Sequence, residues 1–408
     1  MKKYGLLGEH LAHSYSPQIH ALLADYEYKL FEKLPSEVED FLRQGDFDGV
    51  NVTIPYKKTV MPFCETLSDT AEKLGCVNTI IRNADGTLHG DNTDYFGFAY
   101  MLKKSGAEVL GKKALVLGSG GASATVCAVL RDSGARTVVT ISRAGEDNYE
   151  NISKHADADI IVNTTPVGMY PGNGKSPISL DAFASCKAVL DIIYNPAKTE
   201  LMLQAEDFGI PCAGGLAMLV AQAKRAAELF TGEDISDNAV EDITQKLELQ
   251  SKNIVLIGMP GCGKSSVGRR LAGLCGREFY DTDELIVQKA KKSIERIFSD
   301  DGEDAFRDLE QEALSVVAKK SGCVIATGGG IVKREQNRRY LRQNSVTVFI
   351  DRAVDKLSSD GRPLSLAYGV EALYNERLPL YIEWSNYRIA SGAGVYQTAV
   401  AVKEALSL

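Results

Sequence analysis

The chain alternates short apolar runs with longer stretches in which apolar residues recur at helical spacing. The short runs predict strands at Tyr4–Gly8, Gly49–Ile54, Ala114–Leu117, Val138–Ser142, Ile160–Asn163, Val189–Ile193 and Ile254–Gly258. Helical spacing covers Ala122–Leu130, Met218–Phe230 and Val240–Leu249. Strands that alternate with helical spacers imply parallel pairing in a doubly wound sheet. The pattern therefore predicts an α/β protein.

Length and charge both suggest more than one domain. A chain of 408 residues is long enough for two or three domains. Residues 1–250 hold 23 basic and 34 acidic side chains, a net charge of −11, whereas residues 251–408 carry +3. The charge changes near the segment Gln250–Lys252, which separates the last helical stretch of the first part from the next strand. We expect this linker to be too short for free tumbling of the two parts.

Composition narrows the class of protein. No run of 18 apolar residues predicts a membrane span, and the first residues lack the apolar core of a secretory signal. The eight cysteines are scattered without a C-x-x-C pair, which suits free thiols in a cytoplasmic protein. A net charge of +3 in the second part does not indicate a nucleic-acid partner. The sequence makes no prediction of oligomeric state.

The segment Gly258–Ser265 reads GMPGCGKS, a complete G-x-x-x-x-G-K-[ST] loop between a predicted strand and a helix-compatible stretch. In that context, glycines turn backbone N–H groups toward phosphate oxygens, and the helix start adds partial positive charge. Lys264 suits the terminal phosphates and Ser265 suits Mg²⁺. We therefore predict a nucleotide-phosphate site formed by Gly258, Gly261, Cys262, Gly263, Lys264, Ser265 and Ser266.

A second glycine-rich loop, Gly118–Ser123 (GSGGAS), follows the strand Ala114–Leu117 and precedes a helical run. This position predicts a dinucleotide loop of the Rossmann type. Its predicted contacts are Gly118, Gly120, Gly121 and Ala122. The next strand ends at Ser142 and Arg143 instead of at an acidic residue. An acidic residue would bind the ribose of NAD, whereas arginine can pair with the 2′-phosphate of NADP. The alternative is that Arg143 is a solvated surface charge.

Ordered motifs along residues 1–249 resemble shikimate dehydrogenase. The matching segments are Ser14–Pro17 (S-x-S-P), Asn51–Lys57 (N-V-T-x-P-x-K), Asn92–Asp94 (N-T-D), Asn163–Met169 (N-x-[ST]-x-x-G-M), Tyr194 and Met218–Gln222. The resemblance implies a substrate-binding part, residues 1–100 and about 216–249, and a Rossmann part, about 101–215, in which Gly215 also contacts the cofactor. The implied reaction is the reduction of 3-dehydroshikimate by NADPH.

The resemblance also implies roles for single residues. Ser14 and Ser16 would hold the substrate carboxylate, and Lys57 with Asp94 would meet the oxygen that becomes a hydroxyl. An ammonium stabilises developing negative charge and can donate a proton while a carboxylate orients it, and either residue could transfer the proton. The implied hydroxyl-binding or substrate-side residues are Thr53, Asn78, Tyr194 and Gln222. At Asp147 the family's NADP pattern has a basic residue, so NAD and quinate stay open as alternatives.

Residues 253–408 resemble shikimate kinase. Beyond the phosphate loop, the matching segments are Asp281–Asp283 (D-x-D), Phe306–Glu310 (F-R-x-x-E), Gly328–Gly330 (G-G-G), Arg362–Leu364 (R-P-L) and Arg377–Tyr381 (R-x-P-x-Y). The resemblance implies a P-loop α/β domain with a parallel sheet that phosphorylates shikimate with ATP and Mg²⁺.

Roles in this second part follow from the same resemblance. Asp281 would join Ser265 at Mg²⁺, and Asp283 would contact the attacking shikimate hydroxyl. Arg307 and Arg377 are predicted to hold the carboxylate, because a guanidinium can pair with it through two parallel hydrogen bonds. The remaining predicted contacts are Gly328, Gly329 and Gly330 at the substrate ring, and Lys264 and Arg362 at the transferring phosphoryl group. The lid segment Asp355–Gly361 is shorter than is usual in the family.

The sequence thus predicts a fusion of two enzymes that catalyse consecutive steps of aromatic amino-acid biosynthesis. Its small-molecule partners would be 3-dehydroshikimate and shikimate. Two other interpretations are a catalytically silent half that regulates the other, and a generic nucleotide-binding switch. The presence of Lys57, Asp94, Lys264 and Asp283 favours two active sites.

Overall fold

The computed structural model describes residues 2–11, 14–357, 369–392 and 394–408. The chain divides into two compact units. The first contains residues 1–195 and 199–247, and the second contains residues 196–198 and 248–408. No helix within the described ranges is both long and apolar enough to cross a membrane.

The first unit contains a mixed six-stranded sheet in the order β2-β1-β3-β5-β6-β4. The strands are β1 (Lys3–Gly8), β2 (Glu27–Glu32), β3 (Gly49–Val52), β4 (Thr66–Leu67), β5 (Thr79–Arg82) and β6 (Leu88–Asp91). The helices of this part are α1 (Ser16–Leu23), α2 (Val38–Gln44), α3 (Asp69–Leu74), α4 (Thr93–Ser105), α7 (Leu216–Thr231) and α8 (Asn238–Ser251).

Pairing in this sheet differs in part from the expected parallel arrangement. β1 runs parallel to β2 and β3, but β5 runs antiparallel to β3 and to β6. The short connection Asn83–Thr87 explains the antiparallel β5–β6 pair, because a parallel crossover needs about a dozen residues. The strand predicted at Gly49–Ile54 ends at Val52, since Thr53 begins a turn in which its carbonyl accepts from Tyr56 N at 2.9 Å.

A second sheet of the first unit is parallel throughout, in the order β11-β10-β9-β7-β8. Its strands are β7 (Lys113–Leu117), β8 (Thr137–Ile141), β9 (Ile160–Asn163), β10 (Ala188–Asp191) and β11 (Cys212–Gly214), and its helices are α5 (Gly121–Asp132) and α6 (Glu200–Asp207). Val116 faces one apolar cluster and Leu115 the other. Both faces are covered, as parallel sheets require, so polar groups are confined to the strand ends.

The crossover from β8 to β9 lacks the predicted helical spacer and contains only a short 3-10 turn, Ile152–His155. Asn148 Oδ1 accepts from the backbone N–H groups of Glu150 and Asn151, at 2.9 and 3.2 Å. Asn151 Nδ2 donates to the carbonyl of Glu146 at 2.8 Å. Such local side-chain bonds compete with helix formation.

The second unit contains a parallel five-stranded sheet in the order β13-β14-β12-β15-β16. The strands are β12 (Asn253–Ile257), β13 (Phe279–Asp281), β14 (Val324–Ala326), β15 (Ser345–Asp351) and β16 (Tyr387–Ala390). The helices are α9 (Lys264–Cys275), α10 (Thr282–Ala290), α11 (Ile294–Asp300), α12 (Gly302–Val317), α13 (Glu335–Asn344), α14 (Val370–Trp384) and α15 (Val395–Ala405). The predicted α/β fold class is confirmed for both units.

The linker predicted at Gln250–Lys252 is largely helical, because α8 continues to Ser251. Residues from Glu248 onward belong to the second unit. There Arg277 donates to the carbonyls of Leu249 and Lys252 at 2.6 and 2.7 Å, and Gly322 N donates to the carbonyl of Ser251 at 2.8 Å. These bonds satisfy carbonyls at a helix end that lack intrahelical partners.

A second unit expressed from Asn253 should be less stable than one expressed from Glu248. We expect a difference of about 1–3 kcal/mol, because Arg277 loses both acceptors. Urea unfolding followed by the fluorescence of Trp384, the one tryptophan of the chain, measures it. First-unit fragments ending at residues 247 and 252 serve as the control, and their urea unfolding, followed by circular dichroism because they contain no tryptophan, should be alike. Equal stability of the two second-unit fragments would contradict the expectation.

Candidate active sites

Lys57 and Asp94 form an ion pair in the first unit. Lys57 Nζ lies 2.6 Å from Asp94 Oδ2, and the side chains are 27% and 15% exposed. Asp94 lies in the first turn of α4, where the helix dipole stabilises a carboxylate. Lys57 lies in the loop after β3. The structure thus brings the two predicted catalytic residues together, partly shielded and still accessible to a small molecule.

Buried hydrogen bonds fix the start of α4 beside this pair. Asn78 Oδ1 accepts from Thr93 N at 2.7 Å, and Asn78 Nδ2 donates to Thr93 Oγ1 at 3.1 Å. Thr93 Oγ1 in turn donates to Gln222 Oε1 at 3.3 Å. The helix carrying Gln222 comes this close because a Cβ on Gly97 would lie 2.7 Å from the carbonyl oxygen of Met218. Asn78 and Gln222 are therefore held next to Asp94.

Ser14 and Ser16 lie at the start of α1, where Ser16 N donates to Ser14 Oγ at 3.2 Å. Tyr28 on β2 is hydrogen-bonded to the Ser16 side chain, and its hydroxyl also donates to Asn51 Oδ1 at 2.8 Å. Burial raises the pKa of Tyr28 well above its ordinary value, so the phenol stays protonated. Sequence reasoning missed Tyr28, because its strand shows no pattern that distinguishes it from other edge residues.

The last two predicted substrate residues lie on either side of this network. The ring centroid of Tyr194 is 5.6 Å from that of Tyr15, which lies between the two serines. Thr53 donates its backbone N–H to the carbonyl of Leu7 at 2.9 Å. Asn51, which precedes Thr53, donates to Thr79 Oγ1 at 3.1 Å, and Thr79 donates to Asn78 Oδ1 at 3.1 Å. A chain of hydrogen bonds therefore connects the serines to Asn78.

The glycine-rich loop of the first unit joins β7 to the start of α5. Gly118 has a φ of +107°, and a Cβ there would lie 2.9 Å from Thr164 Oγ1. Gly120 and Gly121 leave open space where a Cβ would be, and Ala122 completes the first turn. A helix start with room above it fits a pyrophosphate. Gly215 donates to the carbonyl of Ile193 at 3.0 Å, and a Cβ at Gly215 would lie 2.0 Å from the carbonyl oxygen of Ile192.

The turn after β8 contains Ser142 and Arg143. Ser142 N donates to the carbonyl of Asp147 at 3.2 Å, which closes the turn. Arg143 is exposed, and no ion pair involves it among the described residues. The Asp147 carboxylate lies 2.8 Å from His155 Nε2. Arg143 is therefore available to a ligand phosphate, whereas Asp147 supplies no positive charge.

The phosphate loop of the second unit joins β12 to α9. Gly258, Gly261 and Gly263 have φ values of +144°, +81° and +99°, a region that strongly favours glycine. Lys264 Nζ donates to the carbonyls of Gly258 and Met259 at 2.8 and 2.9 Å and is buried. Cys262 is fully buried, whereas Ser265 and Ser266 are exposed in the first helical turn. The loop thus has the conformation that the motif predicts.

A cavity of about 350 Å³ lies against this loop. The predicted residues that line it are Gly261, Gly263, Lys264, Ser265, Ser266, Asp283, Arg307, Glu310, Gly328, Gly329, Gly330 and Arg377. Phe306 of the F-R-x-x-E segment also lines the cavity, and Ile294 and Phe298, which the sequence motifs do not include, complete an apolar wall with it. Arg362 and residues 358–361 of the lid segment lie outside the described residues.

The two arginines of the cavity differ in what they can offer a ligand. Arg307 donates from Nε and Nη2 to Glu303 at 3.2 and 3.0 Å and from Nη1 to Glu310 at 2.7 Å. Arg377 donates from Nη1 to the carbonyl of Gly329 at 3.2 Å, while its Nε and Nη2 are buried and have no hydrogen-bond partner among the described residues. Nε and Nη2 form one edge that matches a carboxylate. Arg377 therefore presents the free bidentate edge.

Acidic groups lie across from these cations. Asp281 Oδ1 accepts from Asp283 N at 3.0 Å, and Asp283 Oδ1 is buried with no hydrogen-bond partner within the described ranges. Burial, together with the charges of Asp281 and Glu310, raises the pKa of Asp283 to about 7. Asp281 ends β13 and Ser265 lies in the first turn of α9. Their oxygen donors suit Mg²⁺, which protein sites usually hold through one or two carboxylates plus substrate phosphates.

The glycine triplet Gly328–Gly330 provides space at the centre of the cavity. A Cβ on Gly328 would lie 2.5 Å from Glu310 Oε1 and 2.8 Å from Asp283 Oδ1, and a Cβ on Gly330 would lie 2.0 Å from Arg307 Nη1. Any side chain here would displace the groups that line the cavity.

The folds and the two groups of polar residues define a nucleotide-dependent dehydrogenase joined to a P-loop kinase. Residues 6–80 match the family model for the shikimate dehydrogenase substrate binding domain, and residues 260–406 match the family model for shikimate kinase.

Relatives agree with this assignment. The chain is 35% identical over 269 residues to a shikimate dehydrogenase (NADP(+)) from Clostridium perfringens, covering 61% of this chain and 99% of that protein. A crystal structure of a chorismate mutase/shikimate 5-dehydrogenase fusion protein from Clostridium acetobutylicum is 36% identical with a TM-score of 0.58, covering 61% and 97% of the two chains. The Thermus thermophilus shikimate 5-dehydrogenase in complex with NADP(H) and shikimate is 30% identical with a TM-score of 0.54, covering 60% and 99%. The chain belongs to the shikimate dehydrogenase family and carries a shikimate kinase domain at its C-terminus, which confirms the predicted fusion.

Gly330→Ala should lower the catalytic efficiency (kcat/KM) of shikimate phosphorylation about 100-fold or more, because the new methyl group displaces the Arg307 guanidinium. Gly273→Ala is the matched control, since Gly273 is an exposed glycine of α9 with open space at its Cβ. The control should keep full activity and gain up to about 1 kcal/mol of stability. Initial rates at varied shikimate concentrations give the kcat/KM of both variants. An active Gly330→Ala variant would show that the cavity is wider than its contacts indicate.

Proposed function

We propose that the chain reduces 3-dehydroshikimate to shikimate with NADPH in its first unit and phosphorylates shikimate to shikimate 3-phosphate with ATP and Mg²⁺ in its second. The observation that carries the proposal is that each unit holds its own group of charged residues suited to one of these reactions. The first group centres on the Lys57–Asp94 pair. The second centres on the cavity that contains the free edge of Arg377 and the free oxygen of Asp283. We also propose a cytoplasmic location, supported by cysteines that form no disulfide bond in the part of the chain that the structure describes.

In the first unit, Lys57 and Asp94 act on the oxygen of the substrate carbonyl. NADPH, when bound, would supply the hydride that the carbonyl carbon accepts. The Lys57 ammonium stabilises the negative charge that develops on the oxygen and can donate the proton that completes the hydroxyl. Asp94 holds the ammonium at 2.6 Å and keeps it oriented. Ser14, Ser16 and Tyr194 are proposed to hold the carboxylate end, and Thr53, Asn78 and Gln222 the hydroxyl groups.

In the second unit, Arg377 orients the substrate through its carboxylate, with Arg307 as a weaker contributor because Glu303 and Glu310 occupy it. Asp283 accepts a hydrogen bond from the attacking hydroxyl. Lys264 must leave the loop carbonyls to meet the phosphates that ATP supplies. Phosphoryl transfer depends mainly on such positioning and charge neutralisation.

NADP is the proposed cofactor of the first unit. Its phosphates and nicotinamide would lie along Gly118, Gly120, Gly121, Ala122 and Gly215. Its 2′-phosphate would lie at Ser142 and Arg143. The open space above Gly120 and Gly121 and the unpaired Arg143 support this assignment. Arg143 is the one basic residue in the described turn Ser142–Asp147, so the preference over NAD rests on Arg143.

Lys57→Ala should lower the catalytic efficiency with which the chain reduces 3-dehydroshikimate, by about 10²–10⁴-fold. Phosphorylation of added shikimate by the same variant should be unchanged. Asp283→Asn should have the opposite pattern. Lys58→Ala is the matched control, because Lys58 is the exposed neighbour in the same loop. Initial rates of the two reactions are measured separately on the intact chain. Loss of both activities in a folded Lys57→Ala variant would contradict two independent sites, and a wild-type chain with only one activity would support the regulatory alternative.

Arg143→Ala should raise the KM for NADPH about tenfold or more and leave the KM for NADH within twofold, because only NADPH carries the 2′-phosphate. The control is Arg136→Ala, which removes an exposed arginine just before β8. Steady-state rates with each cofactor measure the difference. Equal changes for both cofactors would mean that Arg143 does not bind the 2′-phosphate.

A further inference from the structure

Asp191, at the end of β10, is a fully buried carboxylate that none of the proposed chemical steps uses. Its Oδ2 accepts from Asn163 Nδ2 at 3.0 Å and from Thr199 Oγ1 at 2.7 Å, and its Oδ1 accepts from Ile193 N at 3.0 Å. Burial raises the pKa of this carboxyl to about 6, so its ionised form is costly in this position. The role of this carboxylate therefore depends on the loops to which its three donor groups belong.

Asn163 connects the carboxylate to the loop that follows β9. Asn163 Oδ1 accepts from Thr165 N at 3.0 Å and from Thr165 Oγ1 at 2.7 Å. Thr164 donates to the carbonyl of Leu117 at 2.7 Å, and Gly118 packs directly against Thr164 and Thr165. Asp191 orients the Asn163 amide by accepting from its Nδ2. The conformation of the loop next to the glycine-rich dinucleotide loop therefore depends on Asp191.

Thr199 and Ile193 connect the same carboxylate to the loop that carries Tyr194. Thr199 caps α6, accepting from Met202 N at 3.4 Å, and is 1% exposed. Ile193 immediately precedes Tyr194, and its carbonyl accepts from Gly215 N at 3.0 Å. Gly168, with a φ of +100°, packs against Thr199. The two loops therefore meet at Asp191.

We propose that Asp191 is a positioning residue of the dehydrogenase, which sets the cofactor-side loop 163–168 and the substrate-side Tyr194 relative to each other. It touches neither ligand and acts through Asn163, Thr199 and the backbone of Ile193. The kinetic test of this role rests on the proposed reduction of 3-dehydroshikimate. Asp191 is not part of the sequence motifs described above. Loss of the carboxylate should shift both loops, and displacements of about 1 Å near reacting groups can cost about 100-fold in rate.

The test is Asp191→Asn in the full chain. The amide keeps the size of the side chain but places an N–H₂ group against donors. We expect the KM for NADPH and the KM for the keto substrate each to rise at least about fivefold, and kcat/KM for reduction to fall about 10–100-fold. Shikimate phosphorylation by the same preparation should stay within twofold. A variant that is only less stable would lose kcat in proportion to its unfolded fraction, with both KM values unchanged, and this result would overturn the proposal.

Two further variants make the test specific. Asp159→Asn is the matched control. Asp159 precedes β9 at the amino end of the strands, whereas Asp191 lies at their carboxyl end, and it accepts from Lys113 N at 3.0 Å. It should leave both KM values unchanged, and equal effects of the two substitutions would overturn the proposal. Asn163→Asp combined with Asp191→Asn exchanges acid and amide and should recover at least threefold of the lost kcat/KM. No recovery would also count against it.

If Asp191→Asn does not fold, Thr199→Val removes a single donor at nearly constant volume and should raise both KM values about threefold. Unchanged values would overturn the proposal. A wild-type chain that reduces no 3-dehydroshikimate would instead contradict the proposed function. In that case, the dissociation constant of NADPH, from its fluorescence, is compared between wild type and variant. An unchanged constant overturns the positioning role, and a constant at least fivefold higher supports it.

Discussion

The apolar burial of parallel strands determines where polar chemistry can occur in both units. A parallel sheet covered by helices on both faces excludes charged side chains from the middle of its strands. Polar groups are therefore confined to the loops at the strand ends, and loops from neighbouring strands meet at the carboxyl edge. In the first unit β7, β9 and β10 end beside Gly118, Asn163 and Asp191. In the second unit the phosphate loop, Asp281 and the glycine triplet follow β12, β13 and β14 in the same way.

Close packing at glycine positions then brings these loops within reach of one another. Gly97 lets α7 approach α4, so that Gln222 meets Thr93, and Gly330 lets the main chain pass against the Arg307 guanidinium. The unpaired atoms of Asp283 and Arg377 carry a desolvation cost in the free protein. A ligand that pairs with both would offset that cost, so binding should also raise the stability of the second unit.

The local conformation of the motif segments could be predicted from the sequence, because the spacing of their residues reflects local geometry. Gly258–Ser265 must fold as a loop between strand and helix, and Arg307 and Glu310 share a face by their separation on α12. Residues whose importance arises from distant partners were missed. Tyr28 gains its position only when β2 pairs with β1, and Asp191 only when Asn163 and Thr199 converge on it. The helix expected between β8 and β9 did not form because Asn148 and Asn151 bond to the nearby backbone, a competition that apolar periodicity does not reveal.

The short crossover after β8 has a consequence for how the protein behaves in concentrated solution. In the order β11-β10-β9-β7-β8, β8 is one of the two edge strands of the second sheet of the first unit, and its residues Val138 and Val139 are only half-buried. Exposed apolar edge strands promote aggregation by pairing with other chains. Arg136 and Thr137 at the start of the strand, and Asn148 folded back onto Ser142 at its end, interrupt the edge on both sides. These polar residues therefore flank the edge strand at the positions where gatekeeper residues oppose self-association in natural proteins.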